Sequence, residues 1–262
     1  MKKNRHLVTG VAIIGLYYVN TIAINLGLSS YLQIELSKMS ADQIIEFIQL
    51  YPTPELQSLM YYQLVFKAML ISYLLIISMI SIIHRRKIQS KLIVIKSEAR
   101  TIAMKITAYA MLMLTIAGLI YTFNYLWYGE FSSLVGDNQS MINQVLLSDE
   151  KLYVIIVVCF LAPVVEEYIF RYGLINNLFK HRSKVIQVVL PALVFAYIHI
   201  GFTQLTESFE VAINLLVLYI PMAAVYCFVY VKEKNIAYPL ILHILNNIGS
   251  VLIVLIFNSG II

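Results

Sequence analysis

The segment Glu166-Glu167-Tyr168-Ile169-Phe170-Arg171 places three ionisable side chains within six residues of an otherwise apolar stretch. If that stretch crosses a membrane, each charge costs at least about 2.5–3.5 kcal/mol at mid-bilayer and marks a functional site by default. Helical spacing separates the three. Glu167 and Arg171 are four residues apart and share one helix face, where they can pair. Glu166 is turned about 100° from Glu167 by the helical period, so the arginine neutralises it less easily. The plain structural alternative is a buried ion pair with one spare acid. Two further pairs follow at the same spacing, Phe195 with His199 and His243 with Asn247. A single histidine in a membrane helix often serves only as an interhelical hydrogen-bond partner. Together, however, Glu166, His199, His243 and Asn247 supply a general base, a second proton-handling group and neutral hydrogen-bond donors. That set suits activation of a water and stabilisation of an oxyanion. No serine or cysteine sits in an obvious nucleophile motif, which favours direct attack by water over an acyl-enzyme.

The elements that must hold these residues are helices in lipid. The 262-residue chain is 60% hydrophobic and 13% charged, with a mean hydropathy of +0.81, far from the half-apolar, quarter-charged make-up of soluble domains. Disorder is excluded by the same composition. Apolar segments near 7–28, 64–83, 106–127, 152–178, 185–202, 211–231 and 236–259 each approach the roughly 20 residues a spanning helix needs. The sequence therefore predicts an all-α, polytopic membrane helix bundle with about seven transmembrane helices. Residues 7–28 follow a basic N-terminus but are too long for a signal-peptide core, and are read as a retained first span.

The formal charge of +5 does not point to nucleic acid, because the basic residues fall in alternate connections. Lys2, Lys3 and Arg5 precede the first span, and seven lysines and arginines lie between 84 and 105. Opposite connections carry Glu35, Asp42, Glu46 and Glu55, then Glu130, Asp137, Asp149 and Glu150. Basic residues stay cytoplasmic during insertion, so the N-terminus is expected inside the cell and the protein in the cell membrane. The basic patch at 84–105 is then a topology determinant in contact with lipid headgroups.

No repeat or linker divides the chain, so residues 1–262 read as one integral membrane domain. Its two halves differ. The first three spans hold no carboxylate in their apolar cores, while the later ones hold the whole constellation together with Pro163, Pro191, Pro221 and Pro239. Proline in a membrane helix frees a carbonyl that neighbours or water must satisfy. Four of them predict splayed helices around a hydrophilic intramembrane cavity. Between spans, Ser40-Ala-Asp-Gln43 has the form of a capping box opening an amphipathic helix, ended by Tyr51-Pro52-Thr53-Pro54. A helix of this kind would lie on the membrane surface or cover the bundle, and a shorter one is expected at 141–147. Cys159 and Cys227 each lie in an apolar segment and read as small hydrophobes.

Glu166-Glu167-x-x-x-Arg171, Phe195-x-x-x-His199 and His243-x-x-x-Asn247, in this order within a polytopic chain, resemble the CPBP family of CAAX proteases and bacteriocin-processing (Abi) membrane proteins. The resemblance covers about residues 150–250, which would form the catalytic core. It implies membrane helices around a hydrophilic cavity and an intramembrane endopeptidase. Glu166 and His199 would activate water, His243 and Asn247 would stabilise the oxyanion, and Glu167, Arg171 and Phe195 would support the site. A zinc ion on Glu166, His199 and His243 is the competing arrangement. His-Glu-x-x-His is absent and His243 has its own use as a donor, so no metal or other cofactor is expected. The substrate would be a peptide or membrane-associated protein. A short-looped composition rich in Ile, Leu, Lys, Asn and Tyr looks bacterial, and the resemblance then implies processing of, or immunity to, a bacteriocin or pheromone. Two alternatives belong to other classes. One is a non-catalytic membrane partner modulating a sensor kinase, which has no need for the four site residues together. The other is a transporter with a proton relay, against which stands the lack of repeat symmetry.

Overall fold

The structure is a computed structural model that describes residues 2–86, 98–128, 137–207 and 209–258. Lys87, Lys91, Lys96 and Glu130, on which part of the charge alternation rests, lie outside the described residues. Nine helices follow one another among them: α1 Lys2–Lys38, α2 Ala41–Leu50, α3 Pro54–Ile83, α4 Ala99–Tyr128, α5 Asp137–Leu146, α6 Lys151–Leu178, α7 Lys184–Glu207, α8 Phe209–Glu233 and α9 Ala237–Asn258. The described residues contain no strand. The chain is a polytopic helical membrane protein.

Six helices, α1, α3, α4, α6, α8 and α9, are long and apolar enough to cross a membrane. The span expected at 185–202 falls in α7, where the apolar run among the described residues is Lys184–Ile200. Helices also outrun the apolar segments that announced them. The first was expected at 7–28 and extends to Lys38; the second was expected from residue 64 and begins at Pro54. The cause is local. Thr53 caps α3 with its hydroxyl accepting from the Leu56 amide, and Pro54 takes the first helical turn, where its missing N–H is harmless. The Tyr51–Pro54 stretch thus ends one helix and starts the next.

The capping box forms as spelled. The Ser40 hydroxyl accepts from the Gln43 amide at 3.3 Å, and the Ser40 amide donates to Gln43 Oε1 at 2.9 Å. None of the residues of α2 is buried, and Ile44, Ile45 and Ile48 are exposed. That leaves the surface reading and removes the one in which α2 covers the bundle. The second short helix, α5, behaves differently, since Val145 and Leu146 are fully buried in the main core with Phe66, Val154 and Val157.

Helix α6 is the axis of that core. It is α-helical over Lys151–Ile156, widens to π over Val157–Leu161, returns to α over Ala162–Glu167 and widens again over Tyr168–Leu178. Pro163 enters at the junction after the first wide stretch, where a missing N–H is easily accommodated. Helix α1 crosses α6 at two glycines: a Cβ on Gly10 would lie 2.9 Å from the Gly173 carbonyl oxygen. Close backbone approach through small residues is how membrane helices gain packing energy. A second core joins Ile106, Tyr109 and Met113 of α4 to Tyr226 and Val229 of α8 and Leu242 of α9. One end of it is tied by Lys105 and Tyr109, which meet the Glu233 carboxylate at 2.6 and 2.5 Å.

Candidate active site

The two glutamates occupy the α-helical turn between the wide stretches of α6, and both are buried. Glu167 lies on the closed side. Its Oε2 is 2.8 Å from Arg171 Nε, and the two side chains are 1% and 0% exposed. This is a close ionic contact rather than an aligned hydrogen bond, since neither atom has a partner in hydrogen-bonding geometry. The guanidinium instead lies over the rings of Phe170 and Tyr226, at 5.9 and 5.7 Å. A buried cation against aromatic faces recovers part of its lost hydration.

The other oxygen of Glu167 does something the helix-face argument does not reach. Oε1 sits 3.1 Å from His243 Nδ1, so one carboxylate joins Arg171 and the α9 imidazole. A carboxylate held by arginine accepts only, so Nδ1 carries the hydrogen and donates it. The remaining nitrogen, His243 Nε2, is 3.6 Å from Glu166 Oε2.

His199 is held in a parallel way from α7. Its Nδ1 donates to the Phe195 carbonyl at 2.8 Å. A carbonyl cannot donate, which fixes the tautomer and turns Nε2 toward Glu166 Oε2, 3.9 Å away. The Phe195 ring stacks on His199 at 4.0 Å and 21°, and meets His243 edge-on at 6.0 Å and 65°. Phe195 thus supports both imidazoles, by its carbonyl and by its ring. Exposure rises across the group. His243 is 5% exposed, Glu166 9% and His199 16%, so the Glu166–His199 side is the more open side of the cluster.

Asn247, one turn beyond His243, spends an amide hydrogen on α6. Its Nδ2 donates to the Val158 carbonyl at 2.8 Å, within the first wide stretch. The carbonyls loosened there find a donor from α9. The second hydrogen of that amide is the one that could serve an oxyanion.

Two imidazoles therefore converge on Glu166 Oε2 of α6, His199 from α7 and His243 from α9, while Asn247 braces the helix that carries the carboxylate. Spacing alone does not reveal Glu167 bonded to His243, or Tyr226 stacked on His243 at 4.9 Å and 17°. Both contacts join residues distant in sequence, and an aromatic in an apolar helix carries no local mark. Among the described residues, no group of three His, Cys, Asp or Glu donors is arranged to hold a metal ion. Glu166, His199 and His243, the trio a zinc ion would take, bring the two imidazole Nε2 atoms to 3.9 and 3.6 Å from the shared Glu166 oxygen.

The family model described as Rce1-like, type II CAAX prenyl endopeptidase Rce1-like, matches residues 148–249. This segment spans α6 to α9 and contains every residue of the cluster. No curated protein and no solved structure matches the chain. Over residues 148–249 the chain is similar to the Rce1-like type II CAAX prenyl endopeptidases, the likeness that the three spaced pairs implied.

Proposed function

We propose that this chain, a multi-pass protease of CAAX type acting on a peptide or protein, cleaves its substrate by direct attack of a water that Glu166 and His199 activate. One observation carries the reading: two hydrogen-bond acceptors, Glu166 Oε2 and His199 Nε2, face each other 3.9 Å apart on the accessible side of the cluster. That gap is too long for a direct hydrogen bond, and one water can donate to both acceptors across it. As the water oxygen bonds to the scissile carbonyl carbon, its proton passes to Glu166 and the carbonyl electron pair moves to oxygen. Glu166 then returns the proton to the departing amide nitrogen as the C–N bond breaks. The hydrophilic cavity this requires would open beside Glu166 and His199.

The oxyanion needs donors. With Nδ1–H fixed on Glu167, His243 can donate from Nε2 only as an imidazolium. In that form Arg171 and His243 balance Glu166 and Glu167, so the buried group carries no net charge, which a low-dielectric site favours. The free amide hydrogen of Asn247 is the second donor. Glu167, Arg171 and Phe195 hold these groups without touching substrate. No step requires a metal or other cofactor, which makes this a glutamate peptidase. Treatment with EDTA or a zinc chelator then leaves turnover unchanged; loss that added zinc restores would overturn the metal-free assignment.

The substrate is a peptide or membrane-associated protein, and a bacterial setting makes processing of an exported peptide, such as a bacteriocin or pheromone, or immunity to one, the role. The chain lies in the cell membrane with its N-terminus and the 84–105 connection cytoplasmic, in contact with lipid headgroups, and 29–63 external. A reporter fused near Lys91 should read as cytoplasmic. The activity test compares wild type with Glu166→Gln in membrane vesicles, using an internally quenched peptide with a CAAX tail, both S-farnesylated and unprenylated. Wild type cuts at least one form and Glu166→Gln cuts neither. Equal cutting by both proteins sinks the water-activating role.

A further inference from the structure

We infer that Tyr226 is a positioning residue that sets the plane of His243, an assignment that rests on the catalytic use of His243 proposed above. His243 is gripped at two edge atoms, Nδ1 by Glu167 at 3.1 Å and Nε2 near Glu166 at 3.6 Å. Two contacts in the plane of a ring leave it free to rock about the line that joins them. The torsion that would resist rocking, the second side-chain torsion of histidine, is broad and soft. A contact on the ring face is what removes this freedom.

Tyr226 provides it. Its ring lies parallel to the imidazole, 4.9 Å between centroids and 17° between planes. Phe195 meets His243 only edge-on, so it cannot play the same part. Tyr226 is itself immobilised at 2% exposure, and the small, fully buried Ala223 and Cys227 lie three residues before it and one after it on α8. The same ring lies under the Arg171 guanidinium, at 5.7 Å from Cζ. One aromatic side chain thus supports the cation that anchors Glu167 and the imidazole that Glu167 anchors. Its π face also favours a cationic ring above it, the form in which His243 can donate from Nε2.

The hydroxyl has no part in this. Tyr226 Oη is buried and has no hydrogen-bond partner among the described residues. A buried hydroxyl without a partner is a liability rather than a source of stability. The ring should therefore matter and the oxygen should not.

The test compares Tyr226→Phe, which keeps the ring, with Tyr226→Leu and Tyr226→Met, which remove it at similar apolar bulk. Val229→Ala, a fully buried site on the same helix, reports what core loss alone does. Turnover of the quenched CAAX peptide is measured per folded molecule, with extracted abundance measured in parallel. Tyr226→Phe should match wild type in kcat and in abundance. The ringless variants should lose about 100-fold in kcat, the cost of a small misplacement of a catalytic group, with KM little changed. Val229→Ala should lose abundance and keep kcat. If Tyr226→Leu cannot be extracted, Tyr226→Met carries the same comparison. Ringless variants that turn over like wild type per molecule overturn the assignment, as does a Tyr226→Phe variant that loses as much as they do. Glu166→Gln in the same panel separates the two claims. Its full retention of activity removes the water-activating role of Glu166, and a wild type that cuts neither peptide form removes the proteolytic reading; its loss beside an active Tyr226→Leu removes only Tyr226.

Discussion

Helices α1 and α6 cross at a pair of glycines and yet inhabit different solvents. In the apolar window of α6, 44% of residues are buried inside the protein; in that of α1, 6% are. Both are apolar enough to span a membrane, with mean hydropathy of 2.1 and 1.9. The difference teaches that apolarity here serves two ends. In α6 it fills a protein core around charged groups that must be kept from water and lipid alike. In α1 it satisfies lipid on nearly every face, and only the narrow strip containing Gly10 and Ile13 is shaped by protein. Substitutions should therefore divide by which solvent a residue meets.

The sharpest break is expected within α6. Glu166→Gln keeps size and helix propensity while removing the base, so turnover should fall about 10²–10⁴-fold. Extracted abundance should stay near that of wild type, because Glu166 has no ionic partner of its own on the helix. Turnover assays beside quantified membrane extracts decide it. Glu167→Ala should behave differently on both measures. It strands Arg171, whose side chain is fully buried, and releases His243 Nδ1. Breaking such a pair costs about 3–5 kcal/mol, so folded protein and activity should fall together.

At the crossing itself, Gly10→Val would press a side chain against the α6 backbone, where even a Cβ would come within 2.9 Å of an oxygen. Overpacking of this kind costs about 1–3 kcal/mol. Thermal stability in detergent should drop, while kcat per folded molecule holds. A Gly10→Val protein that folds normally but turns over slowly would blur the division between the two helices. The smallest effect belongs to Lys67→Met. Lys67 meets Glu150 at 2.6 Å between α3 and the turn before α6, but the side chains are 39% and 30% exposed. Such a pair is worth about 0–1 kcal/mol, so its melting temperature should barely move.

Much of the site was legible because charge in an apolar helix has no other reading than function or pairing. The three spaced pairs fell on α6, α7 and α9, and the Glu167–Arg171 contact followed from a spacing of four. What stayed hidden was contact between helices. The bond from Glu167 to His243 joins α6 to α9, and nothing in either local sequence specifies which neighbour an imidazole will meet. Helix ends were hidden for another reason. Hydropathy marks where a helix meets hydrocarbon, but α1 and α3 continue past that point into residues such as Glu35 and Glu55, where caps and propensity decide. The capping box at Ser40, a purely local signal, was readable to the residue.

The wide turns on either side of Ala162–Glu167 bear on how this chain should be aligned with others. A π turn holds one residue more than an α turn, as though a residue had been added without shifting what lies beyond it. Relatives that lack either turn would carry the glutamate pair with a one-residue gap before it or after it, and an ungapped comparison would place the wrong face of α6 opposite the histidines. The same arithmetic makes deletion more informative than substitution here. Removing one residue between Tyr172 and Leu178 should let the helix tighten and absorb the change locally. Removing one from Ala162–Glu167 leaves no slack, and turns the carboxylates by about 100° relative to the rest of the helix.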